Sequence, residues 1–394
     1  MKIQKMKILS IIHYPVFGGP HNRNAKLIPV LKDEGIETIV LLPNEKGNAF
    51  DRLNTLGIKC ITISLSRLRA TKNIFKHAAY TFRFLQDVYN IYKVIRKNSI
   101  DIVQINGFVN IQGVFAAKLA GKPVILQILD TYTPMYAIKL LMPLIKPTVS
   151  VLMSTGERVA SQHPGSNHFQ SRLVYFNPPV DLLLFSPSIS AKNRARVALG
   201  LKQSDLVVGN VANLNKMKGH MLFIQAAALL KKKLPNCKFV ILGAKYSIHR
   251  KYIDSLYRFA EKSGLMLDED IFFVDPSSDV YKLEPAFDIF WMTSRPNSEG
   301  IPTSVEEAMA LGIPVVSTDV GSTSEIVKND YTGYIVDCFD AEALVSKTEL
   351  LFSNKTLYSE ISMNCKEFAQ KNFSIRSCAD KHKYAYQLAL NFNK

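Results

Sequence analysis

The chain is poor in the residues that mark a disulfide scaffold, a metal cluster or a membrane span. Its 394 residues hold five cysteines, Cys60, Cys237, Cys338, Cys365 and Cys378. They are odd in number, scattered and without a C-x-x-C pair, which excludes a disulfide framework and a zinc site and fits a reducing cytoplasm. Long apolar runs are missing too. A spanning helix takes roughly 18 or more nearly uninterrupted apolar residues, and the nearest candidate, residues 137–153, is broken by Lys139, Pro143, Lys146 and Pro147. The apolar core of the amino terminus, Ile8 to Ile12, is too short for a secretory signal, so neither a leader nor a transmembrane helix is expected. Acidic residues are scarce beside basic ones, 33 against 49, a net charge of +16. Residues 1–186 hold 23 basic and 10 acidic residues and residues 187–394 hold 26 and 23, so the halves carry +13 and +3. A one-sided positive field favours nucleic acid or an anionic lipid leaflet and steers anionic small ligands. What is present is globular: 47% hydrophobic and 21% charged residues exclude disorder, collagen and coiled coil, and the length suggests two domains or three.

Short runs rich in Ile, Val and Leu alternate with helical periodicity. In the first half, strands are expected at 7–12, 37–42, 59–64, 101–105, 124–129, 148–153 and 173–176, with helices at 22–34, 73–97, 111–120 and 135–144. Near-continuous apolar strands between helices imply a parallel sheet covered on both faces. Pro178 to Ser190 has three prolines and no alternation, and reads as a linker. Beyond it the pattern restarts, with strands at 206–211, 238–242, 271–274, 288–292, 314–317 and 333–336. The expected architecture is α/β: two facing Rossmann-like, doubly wound parallel-sheet domains with an interdomain cleft, where ligands of such sheets bind. The boundaries are 1–180 and 181–372, with a carboxyl-terminal helix at about 373–394 that crosses back.

Ser294 to Gly321, SRPNSEGIPTSVEEAMALGIPVVSTDVG, is the most informative segment. Glu299 sits in a loop after a strand and Glu307 follows after seven residues. Pro302 suits the first turn of a helix, and Thr303 and Ser304 follow with free N–H groups. A helix start of this kind offers donors and a positive dipole end to a diphosphate, and Glu307 lies a turn further on, suited to accept from ribose hydroxyls. A second segment, 208–230, puts Lys218-Gly219 in a strand-to-helix loop, where a lysine meets phosphate as a point charge. Gly18-Gly19 stands after the first strand and before a helix, where a plain turn is the commoner cause and close backbone approach to a ligand the functional one.

These motifs together, E-x7-E with EG-I-P, EAMA-x-G-x-PVV, a trailing G-x-x-x-E, the K-G element and the GG loop, resemble the family 4, "group 1", retaining glycosyltransferases with the GT-B fold. The resemblance covers nearly the whole chain, most closely residues 206–336 and most loosely 44–98. It implies that Glu307 binds the donor's ribose, Glu299 contacts the transferred sugar, the amides of Gly300, Ile301, Pro302, Thr303 and Ser304 (proline contributing backbone shape only) surround the diphosphate, and Lys218 binds the phosphates. It also assigns Gly18 and Gly19 to the donor phosphate or the acceptor side. Two positions depart from the pattern. Asn213 stands where the family usually has arginine, with Lys216 as a substitute charge or a solvated loop residue. Leu129-Asp130 stands where the family has a histidine-aspartate pair beside the sugar; leucine carries no proton, leaving Asp130, or Asn106-Gly107, to make contacts there. His13 and His21 read as packed or solvated.

The expected activity is transfer of a sugar from a UDP- or GDP-sugar to a glycan or lipid-linked acceptor in cell-surface polysaccharide or glycolipid assembly. No metal and no cofactor beyond the donor is expected. Residues 52–97, basic and interleaved with aromatics, read either as a helix packed on its sheet or as an anionic membrane contact, placing the protein in the cytoplasm, peripheral to the inner face of the membrane. Charge alone suggests nucleic acid, and no recognition motif supports it. The alternatives on the same fold are a nucleotide-sugar epimerase or hydrolase and a catalytically weakened donor-binding subunit.

Overall fold

A computed structural model describes residues 5–67, 74–276 and 279–392, and the side chains of 74–79 are not described. The chain forms two compact units, residues 1–179 with 375–394 and residues 180–374. Each is built on a wholly parallel sheet, because its successive strands are joined by crossover connections that return the chain to the same end of the sheet.

The first sheet has seven strands: β1 (Met6–Ile11), β2 (Ile36–Pro43), β3 (Cys60–Ile63), β4 (Ile102–Asn106), β5 (Val124–Ile128), β6 (Val151–Ser154) and β7 (Leu173–Tyr175), in the order β3-β2-β1-β4-β5-β6-β7. β4 and β5 are buried along their whole length, as a sheet covered on both faces requires. The helices Ile74–Lys97, Gln112–Leu119 and Met135–Ile145 share one core on this sheet through Ile91, Val114 and Met142. A separate core joins the helices Gly19–Asp33 and Ile375–Phe392 through Leu27, Leu31, Tyr386 and Ala389.

The second sheet has six strands: β8 (Leu206–Val211), β9 (Cys237–Leu242), β10 (Ile271–Val274), β11 (Ile289–Met292), β12 (Val315–Thr318) and β13 (Gly333–Val336), in the order β10-β9-β8-β11-β12-β13. Its core centres on Trp291, whose indole N–H donates to Thr348 Oγ1 at 2.7 Å and whose ring meets Phe223 and Phe239. Both sheets reverse strand order once, between β1 and β4 and between β8 and β11. At these points the two flanking loops diverge to opposite faces and leave a crevice at the strand ends.

All thirteen strands fall where the apolar runs predict them, with ends shifted by up to three residues. Two helices do not. Ala49–Thr55 has too little apolar periodicity to announce itself. Ile189–Ala198 begins inside the stretch read as linker, started by Ser188, whose hydroxyl accepts from Ala191 N; such capping needs no apolar stripe.

Candidate active site

The site assembles at the reversal point of the second sheet. Past β8 the chain forms a single turn, Lys216–Lys218, capped by Asn215, whose side chain accepts from Met217 N at 3.0 Å. The turn ends at Gly219, with φ +66°. A Cβ at this position would lie 1.8 Å from the carbonyl oxygen of Thr293, so both the left-handed backbone and the approach to the end of β11 demand glycine. Two further bonds tie the turn to the loop after β11: Thr293 Oγ1 donates to Lys218 O at 3.2 Å, and Arg295 N donates to Met217 O at 2.9 Å.

This close packing sets Lys218 against Glu299. Lys218 Nζ donates to Glu299 Oε1 at 2.6 Å, and Ser294 Oγ donates to the same oxygen at 2.6 Å. Glu299 is 7% exposed, so its carboxyl group is largely screened from water and meets a cation and a hydroxyl at one oxygen. The loop carrying it is fastened from outside. Thr318 Oγ1 donates to Ser294 O at 2.7 Å and Ser322 N donates to Gly300 O at 2.9 Å. Gly321, with φ +54°, leaves room for a Cβ only at 2.3 Å from Gly300 O. The trailing glycine of the motif is therefore what lets β12's following loop press on the Glu299-Gly300 backbone.

The helix Thr303–Ala310 begins one residue later than the sequence suggests. Pro302 is its capping residue, extended at φ −73° and ψ 119°, and not part of the first turn. Helix geometry leaves the amides of Thr303 and Ser304 without an intrahelical acceptor, while Val305 N already donates to Pro302 O at 3.0 Å. Ile301 and Pro302 are buried; Thr303, Ser304 and Glu307 are half-buried. Glu307 lies in the second turn and faces a carboxyl the sequence does not flag, Glu284, which is fully buried and whose carboxyl oxygens have no hydrogen-bond partner among the described residues. Burial foremost, and the charge of Glu307 beside it, raise Glu284 well above the ordinary carboxylate range, so it is held neutral.

His220, next to Lys218 and Gly219, is also neutral: burial foremost lowers it to about 4. Asn213 lies two residues past β8 with its side chain exposed, and Lys216 is exposed as well. A cavity of about 510 Å³ opens beside the turn, lined by Lys216, Gly219, Tyr252, Ser294, Arg295 and Phe339 among others. It shares Gly219 and Ser294 with the site, and Lys218, Glu299 and Glu307 do not line it.

The remaining predicted residues belong to the first unit. Gly18 caps the helix Gly19–Asp33 in an extended conformation open to any residue, and a Cβ on Gly19 would meet nothing within 4 Å. The chain's own packing thus does not require either glycine, and the space where a Gly19 side chain would lie stays open. His21 shapes this loop: its Nδ1 accepts from Gly18 N at 3.1 Å and its Nε2 donates to Tyr14 O at 2.9 Å. It is buried, and burial lowers it to about 4. His13 is buried and lowered to about 3 by the same cause. Asp130 is half-buried two residues past β5, and its Oδ1 accepts from Tyr132 N at 2.9 Å. Leu129 packs against the core shared with the helix Ile375–Phe392. Asn106 has no spare capacity for a ligand. Its amide donates to Ser10 Oγ and Ile11 O, and its oxygen accepts from the buried Arg23 at 2.6 Å. Arg23 in turn also bonds Gln127 and lies over the Phe176 ring.

Known proteins resemble this chain in sequence and in fold. Residues 191–372 match the family model described as "Glycosyl transferases group 1". The UDP-Gal:alpha-D-GlcNAc-diphosphoundecaprenol alpha-1,3-galactosyltransferase of Escherichia coli is 23% identical over 317 residues, 77% of this chain and 79% of its own. The lipopolysaccharide core biosynthesis mannosyltransferase LpsB of Rhizobium meliloti (strain 1021) is 30% identical over 198 residues, 50% of this chain and 55% of its own. The crystal structure of Anabaena HepE in complex with UDP superposes with a TM-score of 0.82 at 18% identity, covering 97% of this chain and 100% of that one. The family match thus spans residues 191–372, just under half of the chain, and the likeness to the solved structures shows a GT-B fold.

Proposed function

We propose that this chain is a retaining, metal-independent hexosyltransferase that uses a UDP- or GDP-sugar and acts in cell-surface polysaccharide or glycolipid assembly, on the cytoplasmic side. The observation that carries this reading is the bond between Lys218 and Glu299 at the reversal point of the second sheet, beside the start of the helix Thr303–Ala310. The cation and the open amides suit a departing diphosphate, and fixed donors stabilise a leaving group without reorganising. Glu299, already oriented by Ser294, would accept from hydroxyls of the transferred sugar, and Glu307 from those of the ribose. Gly18 and Gly19 would serve the donor phosphate or the acceptor side, and Asp130 would contact donor or acceptor beside the reacting sugar. Relatives support the donor and acceptor classes by name: the E. coli enzyme takes UDP-Gal and a diphosphoundecaprenol-linked sugar, and the Anabaena protein binds UDP.

Calorimetric titration of UDP, GDP, ADP and their sugar conjugates, with EDTA present, tests the reading. Binding selective for one base, and lost in both Lys218→Ala and Glu307→Ala, is the expected result. Absence of binding to all of them sinks the donor site. Activity that EDTA abolishes and Mn²⁺ restores sinks metal independence alone. A second reading, a subunit that binds donor without turnover, is favoured by Leu129, an apolar core contact where a proton-carrying side chain is usual. Turnover in the unaltered protein decides against it, and sugar released without any acceptor would instead indicate an epimerase or hydrolase.

A further inference from the structure

The outer side of one helical layer in the first unit is apolar where a soluble surface is ordinarily polar. The helix Met135–Ile145 buries Ile138, Met142 and Ile145 in the core. Its opposite stripe, Tyr136, Leu140 and Leu144, repeats every four residues and is 77%, 67% and 54% exposed. The helix is thus apolar on both faces, and only one of them has a partner in this chain. The helix Ile74–Lys97 repeats the arrangement. Val88, Ile91 and Ile95 are buried in the same core, and Phe82, Leu85 and Tyr89, at i, i+3 and i+7, point outward and are exposed. The helix Gln112–Leu119 packs against it and contributes the exposed Leu119.

Charge decides what such a surface meets. Arg83, Lys93, Arg96, Lys97, Lys118 and Lys139 are exposed on these helices. Their only acidic residue is Asp87, which is fully buried and accepts from Ser66 N at 2.9 Å. Lys93 Nζ lies over the Tyr89 ring at 4.8 Å, a cation set against an exposed aromatic face. Exposed apolar and aromatic tips with exposed cations and no exposed carboxylate on the same helices match the boundary between acyl chains and anionic headgroups. No helix among the described residues is long and apolar enough to cross a membrane, so such a contact would lie on the bilayer and not in it.

We infer that the helices Ile74–Lys97, within its described part from Tyr80 on, and Met135–Ile145 form a docking face for an anionic lipid bilayer. This moves the contact beyond the basic stretch 52–97, of which residues 68–73 and the side chains of 74–79 lie outside the described residues, and makes Tyr136, Leu140 and Leu144 its apolar half. The loop from Asp130 to Pro134 leads straight into the docking helix, so docking brings that loop close to the lipid surface. The docking face stands on these side chains alone. Its corollary, that the acceptor is a sugar on a lipid anchor, rests on the transferase reading.

The test is flotation of the full chain with vesicles of phosphatidylcholine alone or mixed equally with phosphatidylglycerol, next to calorimetric nucleotide binding of the same samples. The expected result is binding to the mixed vesicles only, weakened by salt, and reduced about tenfold or more both in Tyr136→Ser with Leu140→Ser and in Lys93→Glu with Lys139→Glu. Leu56→Ser, an exposed apolar residue outside these helices, should bind like the unaltered protein. No vesicle binding, or binding unchanged in both double variants, overturns the inference. So does a dimer in solution that the Tyr136→Ser, Leu140→Ser variant dissociates, since the face would then belong to a second copy. Nucleotide binding should be the same in every sample; its absence throughout would defeat the transferase reading while leaving the docking result to stand or fall by itself.

Discussion

Lys218 and Glu299 share a 2.6 Å hydrogen bond although 81 residues separate them, and glycines on either side permit it. Gly219 lets the lysine turn close on Thr293, and Gly321 lets the β12 loop close on Gly300. Lys218→Met should therefore have two consequences. It removes the positive charge proposed to meet the diphosphate, and it strips the buried Glu299 of its cation. Charge-assisted bonds of this kind contribute ~1.5 to 3 kcal/mol, so kcat/KM should fall about tenfold to a hundredfold. Lys218→Arg should recover part of it. Steady-state kinetics on the three proteins checks this, and an Arg variant no better than Met would mean that the lysine's ammonium geometry, and not its charge, is what the site uses.

Gly321→Ala tests the packing side of the same relationship. The new methyl would sit 2.3 Å from one backbone carbonyl and 2.6 Å from another, and neither can yield as a side chain would. At a left-handed φ the strain adds ~1 kcal/mol or more to the clash. The second unit should lose stability by ~2 to 4 kcal/mol, read as a lower midpoint in chemical denaturation. Gly19→Ala, with open space around its Cβ position, should leave the midpoint within ~0.5 kcal/mol while weakening any ligand held at that amide.

The contrast between these glycines shows what sequence could and could not reveal. The thirteen strands were legible because a buried parallel strand must be an unbroken apolar run, and the E-x7-E segment because a loop glutamate, a proline and a second glutamate one turn into a helix form a recognisable order. Why Gly219 and Gly321 must be glycine was not legible, since the atoms they avoid belong to Thr293 and Gly300, distant in sequence or across a turn. Asn106 looked available for a ligand at the end of β4, yet Ser10, Ile11 and Arg23 already occupy it. Glu284 gave no signal at all. A single glutamate before a proline reads as a solvated turn, and only the fold buries it against Glu307.

Asn213 offers a gain-of-function test. It is exposed two residues beyond β8 and five before Lys218. Asn213→Arg would add a cation with forked donors where only a neutral amide now stands. Nucleoside diphosphate affinity should rise about fivefold to tenfold, in line with one added exposed-to-half-buried charge contact, and its salt dependence should steepen. Calorimetry at two ionic strengths reads both. Equal affinity in the two proteins would mean that residue 213 does not reach the phosphates, and would leave Lys216 as the compensating charge to test next.

Glu284 makes stability depend on pH in a direction opposite to that of a salt-bridged carboxylate. Its folded-state pKa is raised, by burial first and by Glu307 second. Below the ordinary carboxyl pKa of about 4.5 both folded and unfolded chains hold the proton, and the group has no effect on stability. As pH rises past that value the unfolded chain releases the proton while the folded one keeps it, so folding must take a proton up and stability falls with pH. Glu284→Gln keeps the shape and removes the titration. The buried amide adds its own cost at every pH, so the informative quantity is the difference between variant and unaltered protein. That difference should move in the variant's favour between pH 4 and pH 8, by up to ~1.4 kcal/mol per pH unit over the window in which only the unfolded chain ionises. Denaturation midpoints measured across that range check it, and a difference that stays flat would mean that Glu284 ionises in the folded protein and that a cation or water supports it beside Glu307.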